Sequence, residues 1–439
     1  MFILRNKENP KKHFFFFILF SGIIFFSLIS CKKNENKKSE ITEIHFVTFM
    51  PDQPKVWDEA IKLFEKEHPQ IKIKREFAPH STTAFHDLLT QKLKNKSADV
   101  DVFFMDVIWP AEFAAAGWAE PLDNYINNKE KDKFIESTID ANTYNGKLYG
   151  IPLFTDAGLL YYRKDLLEKY NTQPPQTWEE LYMIAQKIVK AEKKQKKNIY
   201  GFSGQFKQYE GLVCNMMEFI LSNGSKIIDE TTLTPKITEE PALNAIRFVR
   251  DKIIKELSPP GALAYQEQES LDIFLQGKAI FHRNWPYAWE IVNNPARSRI
   301  VGKVGITKIP HFNGNKSYST LGGWQLGLSA FSKKKSEGWK FVEFMTSEKI
   351  QKFLAIKAGI PPTRKSLYND EDIIKKNPHF EQMREVFFSS YPRPATPFYP
   401  AISNILQRFF SKAISSSNIN IRKEAIFTSE EMKKILKRK

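Results

Sequence analysis

The stretch Glu43-Ile-His-Phe-Val-Thr-Phe49 alternates apolar and polar residues in the manner of a half-buried β-strand. It opens a series in which strand and helix patterns follow each other as far as Asp106. The predicted helices cover 56–68 and 85–94, and the further strands cover 71–77 and 100–105. This βαβαβ order predicts a parallel, doubly wound sheet whose ligands bind beyond the carboxyl ends of its strands. Asp106 directly follows the last of these strands and would lie at that edge.

The rest of the chain repeats the mixture of strands and helices. Further strands are predicted at 159–163, 277–282, 304–310 and 322–328. Thr177-Trp-Glu-Glu180 has the spacing of a capping box, with Thr177 as N-cap and Glu180 three residues later, and predicts a helix start. A chain of 439 residues exceeds what one hydrophobic core supports, so two domains are expected.

Arg283-Asn-Trp-Pro-Tyr-Ala-Trp289 is an aromatic stretch in the second half of the chain. Its three rings, Trp285, Tyr287 and Trp289, would share one face of an extended segment. Pro286 disfavours a helix, so the stretch reads as a strand end or a loop. From the residues alone, core packing and ligand contact both remain open for the three rings.

The amino terminus has the pattern of an export signal. A basic segment at 5–12 precedes an apolar run at 14–28, which is short for a membrane span of ~20 residues. Leu28-Ile-Ser-Cys31 follows and resembles a bacterial lipobox, which predicts a signal peptide over 1–31 and a lipid on Cys31. An uncleaved signal anchor is the alternative. Residues 32–41 are almost wholly polar and predict a flexible tether.

Composition excludes several other functions. The formal net charge is +16, but the basic clusters carry few aromatic residues, so nucleic acid is not an expected partner. The eight histidines are scattered, so we predict neither a metal site nor a cofactor. Cys214 lies in an apolar context and is expected in the core. Asp106 and Asp156 form a carboxylate pair of the kind that glycosidases use, and sequence does not give their separation.

Several motifs together resemble the extracellular solute-binding proteins of sugar ABC importers, with the trehalose/maltose-binding branch as the nearest. The match runs from about residue 43 to the carboxyl terminus. The motifs that carry it are Lys147-Leu-Tyr-Gly-Ile-Pro152, Asp156-Ala-Gly-Leu-Leu-Tyr-Tyr-Arg-Lys-Asp165, Gln208-Tyr-Glu-Gly-Leu-Val213, the aromatic stretch, Leu321-Gly-Gly-Trp324 and Pro392-Arg-Pro394.

The resemblance implies a two-lobe α/β fold of the periplasmic-binding-protein type, in which each lobe is a sheet flanked by helices. Carried over to this chain, lobe 1 comprises 42–151 and 323–365, and lobe 2 comprises 152–322 and 366–439. The hinge crossings that join the lobes then fall near 151–153, 321–324 and 360–364. Such proteins close on a sugar by rigid-body motion of the lobes.

The resemblance also assigns ligand contacts, residue by residue. The residues implied are Asp106, Asp156, Trp285, Tyr287, Gly323, Trp324 and Arg393. Asp106 could instead cap a helix, Asp156 could belong to a turn, and Arg393 could be a surface cation. Two further positions depart from the family. Gln53 stands where relatives have a glutamate, and Phe154 stands where they have a tyrosine, so the preferred sugar is expected to differ.

We therefore expect a lipid-anchored, exported, monomeric protein that performs no chemistry. It would bind a disaccharide such as a trehalose- or maltose-like α-glucoside and present it to the permease subunits of an ABC importer. The anchor would hold it at the periplasmic side of a membrane or at the cell surface. Two alternatives remain. One is the same fold with another solute, either glycerol phosphate or a polyamine, and the other is an exported glycosidase.

The lipobox generates the first testable prediction. Cys31→Ser should abolish metabolic lipid labelling and release the protein into the soluble fraction, because the thiol that accepts the lipid is gone. Ser30→Ala, which leaves Cys31 in place, is the control and should be labelled normally. A Cys31→Ser protein that is processed and fractionates like the wild type would contradict the assignment.

Overall fold

A computed structural model describes residues 41–51, 53–79, 82–196, 198–229 and 231–437. The predicted signal peptide with Cys31, and the predicted tether except for its last residue, lie outside the described residues. Within the described ranges, no helix is both long enough and apolar enough to cross a membrane.

The described residues form strands and helices in alternation. The strands are β1 (Thr42–Phe49), β2 (Ile71–Ala78), β3 (Val102–Asp106), β4 (Thr143–Tyr144), β5 (Lys147–Leu148), β6 (Ile151–Ala157), β7 (Leu159–Arg163), β8 (Tyr200–Ser203), β9 (Ile228–Asp229), β10 (Thr234–Pro235), β11 (Ala279–Asn284), β12 (Val304–Thr307) and β13 (Leu321–Leu328). The α-helices are α1 (Pro54–Glu67), α2 (Thr82–Lys94), α3 (Pro110–Ala115), α4 (Asn128–Lys131), α5 (Glu136–Ala141), α6 (Lys164–Lys169), α7 (Trp178–Lys194), α8 (Glu210–Leu221), α9 (Glu240–Phe248), α10 (Glu267–Leu275), α11 (Ala288–Val292), α12 (Lys335–Met345), α13 (Glu348–Ala358), α14 (Glu371–Lys376), α15 (His379–Phe388), α16 (Tyr399–Ser415) and α17 (Ile421–Leu436). A π-helix (Val249–Leu257) continues α9, and 3-10 turns occur at Ala262–Ala264 and Lys365–Asn369.

The first sheet has five strands in the order β2-β1-β3-β13-β6. β1 is parallel to both β2 and β3, as the βαβαβ pattern predicts. β13 lies antiparallel between β3 and β6, so the sheet as a whole is mixed, which the βαβαβ pattern at 43–106 did not predict. The reason is that β13 starts at the edge where β3 ends, with Trp324 opposite Asp106 and Leu328 opposite Val102.

The second sheet has four strands in the order β12-β7-β11-β8. β11 is antiparallel to β7 and parallel to β8, while β12 is antiparallel to β7. The capping box before α7 is confirmed. The Thr177 hydroxyl accepts from the Glu180 backbone N–H at 3.1 Å, and the Glu180 carboxylate accepts from the Thr177 N–H at 3.2 Å.

Each sheet packs into its own apolar core, and the chain therefore has the two lobes that were predicted. In the first lobe, the Phe46 ring lies 5.2 Å from both the Phe104 and the Phe341 rings, in edge-on contacts. In the second lobe, Trp178 stacks on Phe219 of α8 with ring centroids 3.9 Å apart. Every residue of α8 after its first is buried, including Cys214, which is confirmed as a core residue.

Two long strands pass between the lobes side by side. β6 and β13 pair along their length, with Ile151 opposite Leu326 at one end. These two strands contain the predicted crossings 151–153 and 321–324. Beyond its last residue β6 turns at Gly158 into β7, which belongs to the second sheet.

The third predicted crossing, 360–364, lies against β6. The Thr155 backbone N–H donates to the Pro361 carbonyl at 3.1 Å, and the Thr363 hydroxyl donates to the Pro152 carbonyl at 2.9 Å. The three segments are thus neighbours in space, as a hinge requires. The limits of the two lobes given above stay predictions.

Gly323 is a position where β6 and β13 approach closely. Its φ of +120° is one that side-chain-bearing residues rarely adopt, and an added Cβ would lie 2.5 Å from the Phe154 carbonyl oxygen and 3.0 Å from Cα of Thr155. Next to it, the strand register shifts between Trp324 and Gln325. A glycine is therefore required by the backbone itself, whatever the ligand.

We predict that Gly323→Ala lowers the free energy of unfolding by about 3 kcal/mol, because backbone strain and a steric clash add. The matched control is Gly117→Ala, where φ is +67° and no atom lies within 4 Å of the added Cβ. That change should cost about 1 kcal/mol from backbone strain alone. Chemical denaturation of both variants measures the difference, and equal losses would contradict the close-approach argument.

Candidate functional site

Five of the predicted ligand residues lie on three adjacent strands at one edge of the first sheet. Asp106 ends β3 and pairs with Trp324 of β13, which in turn pairs with Phe154 of β6. Gly323 precedes Trp324, and Asp156 lies two residues beyond Phe154. The edge is the carboxyl end of β3, where the βαβαβ pattern placed the ligand.

Asp106 is an acceptor group set into this edge. It is 9% exposed, and its Oδ1 accepts from the Ile108 N–H at 3.2 Å. The alternative role as a helix cap is wrong, because Trp109 occupies the N-cap position of α3. Burial raises the pKa of Asp106 to about 6, against the opposing effect of the Arg393 guanidinium.

Arg393 comes from the second lobe and meets Asp106. Its Nη2 lies 3.6 Å from Asp106 Oδ1 and donates to the Leu321 carbonyl at 3.3 Å. Only 7% of the residue is exposed, so it is not a surface cation. Its Nε is buried and has no hydrogen-bond acceptor among the described residues. A buried donor without an acceptor is costly, so this N–H is suited to a ligand oxygen.

Glu210 holds Arg393 in place, and sequence reasoning gave it no role. Its Oε1 accepts from Arg393 Nη1 at 2.8 Å and from the Tyr399 hydroxyl at 2.7 Å. The Ser403 hydroxyl donates to its other oxygen. The signal was within reach, because Glu210 belongs to the motif at 208–213 that the family resemblance includes.

Asp156 provides a second carboxylate. It is half-buried and lies within β6, so its alternative role as a turn residue is wrong. Burial raises its pKa to about 8, the charge of Asp106 raises it further, and the Arg283 guanidinium acts against both. The carboxylate also lies near Tyr161 and Tyr368. Burial is the main cause that raises the pKa of both tyrosines, and the Asp156 charge adds to it. The raised pKa favours the protonated form of Asp156, which can donate a hydrogen bond.

The first part of the aromatic stretch is a strand and its last part is a helix. It begins as the end of strand β11, as predicted, but from Ala288 onward it forms helix α11, so the expected extended segment is wrong there. Pro286 lies before the helix, where it does not interrupt the helical hydrogen bonds. Trp289 consequently turns away and stacks on His379, with ring centroids 4.9 Å apart. The three rings do not share one face.

Trp285 and Tyr287 remain beside the carboxylates. Trp285 is half-buried, and an added Cβ on Gly322 would lie 3.1 Å from both Cζ3 of its indole and Cβ of Asp156. Tyr287 is also half-buried and packs against a core cluster that contains Tyr161. Trp285 thus borders the site, while Tyr287 contributes partly to packing.

Trp324 and Phe154 form an aromatic wall on the first lobe. Trp324 is half-buried and stacks on Phe85 at 5.7 Å with an interplanar angle of 15°. Phe49 and Trp109 contact it edge-on at 4.8 and 5.7 Å. Phe154, which lies opposite Trp324 on β6, is also half-buried. This arrangement fixes the Trp324 ring before any ligand binds.

Gln53 lies at the N-cap position of helix α1. Its amide donates to the Ala358 carbonyl at 3.2 Å, at the end of α13. This contact fixes the turn rather than a ligand, and the predicted ligand role of Gln53 stays a prediction. Gly323 likewise stays a prediction as a ligand contact, since its carbonyl already accepts from Val107 N–H at 3.2 Å.

Two open depressions lie elsewhere, on the second lobe. One of about 960 Å³ and one of about 340 Å³ share Asn315, Lys316 and Tyr318 in their linings. Neither is lined by a predicted ligand residue. We assign the site to the strand edge because charged groups from both lobes converge there with aromatic rings.

The chemistry of the edge suits a polyhydroxylated ligand. Carboxylates accept hydrogen bonds from hydroxyl groups, the Arg393 Nε donates one, and aromatic faces cover apolar C–H surfaces. Among the described residues, no group of three or more His, Cys, Asp or Glu side chains could hold a metal ion.

Comparison with known proteins gives a consistent set of matches. A family model described as bacterial extracellular solute-binding protein matches residues 50–352. A probable ABC transporter-binding protein of Deinococcus radiodurans is 36% identical over 338 residues, which are 77% of this chain and 80% of the relative.

Solved structures of the same kind superpose on nine-tenths of the chain. Maltose-bound MalE3 of T. maritima has a TM-score of 0.83 and 36% identity, covering 90% of this chain and 100% of that one. An ABC transporter solute-binding protein of Thermotoga lettingae, bound to α-D-tagatose, has a TM-score of 0.80 and 25% identity over 90% and 100% of the two chains.

The raised pKa of Asp156 generates a pH prediction. A carboxyl whose folded pKa of about 8 exceeds its ordinary value of 3.8 stabilises the fold when protonated, and that stability is lost as pH rises between those values. Asp156→Asn cannot ionise, and because the side chain is only half-buried, solvent screening reduces the effect, so at pH 8.5 its free energy of unfolding should exceed that of the wild type by about 2 kcal/mol.

Denaturation of the sugar-free protein from pH 4.5 to 8.5 measures this effect. Asp132→Asn is the control, since Asp132 is exposed and the structure places no ion pair on it among the described residues. A pH slope that is the same in the wild type and in Asp156→Asn would contradict the prediction.

Proposed function

Since the chain belongs to the family of bacterial extracellular solute-binding proteins, we propose that it captures a disaccharide and delivers it to an ABC importer. The proposed ligand is an α-glucoside such as maltose or trehalose. Members of this family are transport components without catalytic activity, so the resemblance is confirmed and the glycosidase alternative is set aside.

One observation carries the proposal, namely the unsatisfied Nε of Arg393 beside Asp106. A sugar hydroxyl both donates and accepts hydrogen bonds. The buried Arg393 N–H and the buried Asp106 carboxylate lie side by side and offer one donor and one acceptor to such groups. Charge-assisted hydrogen bonds of this kind contribute about 1.5–3 kcal/mol each. Glu210 fixes the guanidinium, so little entropy is lost when a hydroxyl binds to it.

Aromatic rings from the two lobes support a sugar over other solutes. Trp324 lies on the first lobe and Trp285 on the second, and each leaves part of its ring accessible. Pyranose rings have apolar C–H faces that stack on such surfaces. Closure of the lobes would bring both rings onto one disaccharide, with the neighbouring strands β6 and β13 as the hinge.

The charge of the edge separates the other candidate solutes. Glycerol phosphate would meet Asp106 and an arginine that Glu210 already neutralises, so repulsion opposes it. A polyamine is the second candidate, because its cations would pair with Asp106 and Asp156. The raised pKa of Asp156 weakens that pairing, since the group is largely neutral at pH 7.

We propose further that Cys31 carries a lipid and that 32–41 tether a monomeric binding domain to the outside of a membrane. The anchor would keep the sugar-loaded protein near the permease subunits of its importer. The family description as extracellular supports export.

A thermal-shift panel tests the ligand class. Maltose, trehalose, spermidine and glycerol 3-phosphate would each be added to the sugar-free protein, since a ligand at 100-fold its dissociation constant stabilises by ~2.7 kcal/mol. We expect a shift with a disaccharide. A shift with spermidine alone would replace the sugar proposal by the polyamine alternative.

Trp285→Ala tests the stacking platform. Removal of the indole should weaken maltose binding by about 1–3 kcal/mol in calorimetry, because the contact area with a pyranose face is lost. Trp289→Ala is the matched control from the same stretch. It should lower the melting temperature through loss of the His379 contact and leave affinity unchanged.

Asp106→Asn tests the acceptor on the first lobe. The change keeps the shape and removes the charge, so maltose affinity should fall while the melting temperature of the sugar-free protein does not. The control is Asp101→Asn, a buried aspartate that binds Ser332 away from the site. Loss of sugar-free stability in both Trp285→Ala and Asp106→Asn, with affinity intact, would refute the site.

A further inference from the structure

Arg283 and Glu218 form an ion pair that no ligand role explains. Each side chain is 2% exposed. Arg283 Nε donates to Glu218 Oε2 at 2.9 Å, and Nη2 donates to Oε1 at 2.6 Å, which makes the contact bidentate. Buried ion pairs often add little stability over apolar packing, so the location of this pair calls for a separate reason.

The guanidinium of Arg283 lies over the indole of Trp285. Its Cζ is 4.0 Å from the centroid of the ring, a cation–π contact between two residues of one short stretch. One face of the indole is therefore covered from within the protein. A ligand can therefore stack only on the opposite face of the indole. The position of the Arg283 guanidinium thus determines which face of Trp285 is accessible to a ligand.

The backbone beside the indole is fixed as well. The Trp285 N–H donates to Asn284 Oδ1 at 2.8 Å, and its carbonyl accepts from the Tyr161 hydroxyl at 2.8 Å. With the main chain held, the remaining freedom of Trp285 is rotation of its side chain. The guanidinium is the contact that opposes this rotation on the covered face.

Glu218 connects this arrangement to the strands between the lobes. Its Oε1 also accepts from the Thr320 N–H at 3.1 Å, directly before β13. At the turn after β6, an added Cβ on Gly158 would lie 1.9 Å from Glu218 Oε1 and 2.5 Å from Arg283 Nη2. The pair therefore contacts the chain directly after β6 and directly before β13, and only a glycine at 158 leaves room for it.

We propose that the Arg283–Glu218 pair positions Trp285. It holds the indole in its sugar-binding orientation and connects it, through Glu218, to the backbone at the start of β13. Neither residue touches the sugar in this scheme. The inference rests on the proposed function for the identity of the stacked ligand, but the orientation of the ring is a property of the sugar-free protein.

Arg283→Lys is the primary test. Lysine keeps the buried positive charge for Glu218 but lacks the planar, bidentate guanidinium that stacks on the ring. Glu218→Gln is the second variant and is used if the lysine protein is not recovered folded. Arg163→Lys is the control, because Arg163 is a largely buried arginine of the second sheet that pairs with Asp165 away from the site.

The first readout needs no sugar. Tryptophan emission and acrylamide quenching are compared with and without Trp285→Ala in each background, so that the difference isolates Trp285. In Arg283→Lys, the Trp285 component should shift to longer wavelength and quench about twofold more readily, because the covered face opens to water. The control should leave that component unchanged. An unaltered Trp285 component in both test variants would overturn the proposal.

The second readout is a double-mutant cycle on maltose affinity. Arg283→Lys should weaken binding about fivefold when Trp285 is present and have almost no effect in the Trp285→Ala background, because it acts through the ring. Equal losses in both backgrounds would show a merely structural role and refute the positioning. If the wild type does not bind maltose, the disaccharide proposal fails, and the fluorescence result still decides the positioning.

Discussion

The pairing of β6 with β13 is the constraint on which the rest of the structure depends. It joins segments more than 160 positions apart in the chain, and Gly323 permits the approach because no side chain fits between the two backbones. The same pairing inserts β13 beside β3, which brings Asp106, Trp324 and Asp156 onto adjacent strands. The strands β6 and β13 carry both the predicted hinge crossings and residues of the site. Small changes in the geometry of these strands therefore move the ligand contacts directly.

The polar groups of the site are held in an unequal balance. Asp106, Asp156 and Glu210 supply three carboxylates, whereas Arg393 pairs with Asp106 and Glu210, and Arg283 acts on Asp156 from a greater burial depth beside Glu218. Burial raises the pKa of both aspartates, to about 6 and about 8, because ionised groups lose hydration there. The balance favours neutral ligands rich in hydroxyl groups, since these satisfy acceptors and the free Nε donor without bringing in a new charge.

Local sequence patterns predicted many of the individual strands and helices. Features that depend on pairing between distant segments could not be predicted in this way. The strands at 71–77 and 159–163 and the Thr177 capping box were predictable because periodicity and cap chemistry depend on near neighbours. The direction of β13 was not, since it follows from where the chain returns after the second lobe. The helix at Trp289 was missed because Pro286 can precede a helix as readily as it can end a strand.

The same division applies to the site. Family motifs indicated Asp106, Asp156 and Arg393, and the structure brings these three together with Trp285. Glu210 lay in a quoted motif, yet only the fold reveals that its carboxylate reaches Arg393, because the two residues are 183 positions apart. A partner that acts across the fold leaves no spacing signal in one sequence.

Cys214 carries a consequence for the chemistry of the protein outside the cell. It lies on α8, its carbonyl accepts from the Thr320 hydroxyl at 3.0 Å, and burial raises the pKa of its thiol to about 12. Thiolates, not thiols, react with oxidants and disulfides. We therefore expect the thiol to react slowly with oxidants as long as α8 packs against the start of β13 and keeps Cys214 buried. The rate at which an alkylating reagent modifies Cys214 therefore measures how often α8 separates from the start of β13, and so how often the hinge region opens.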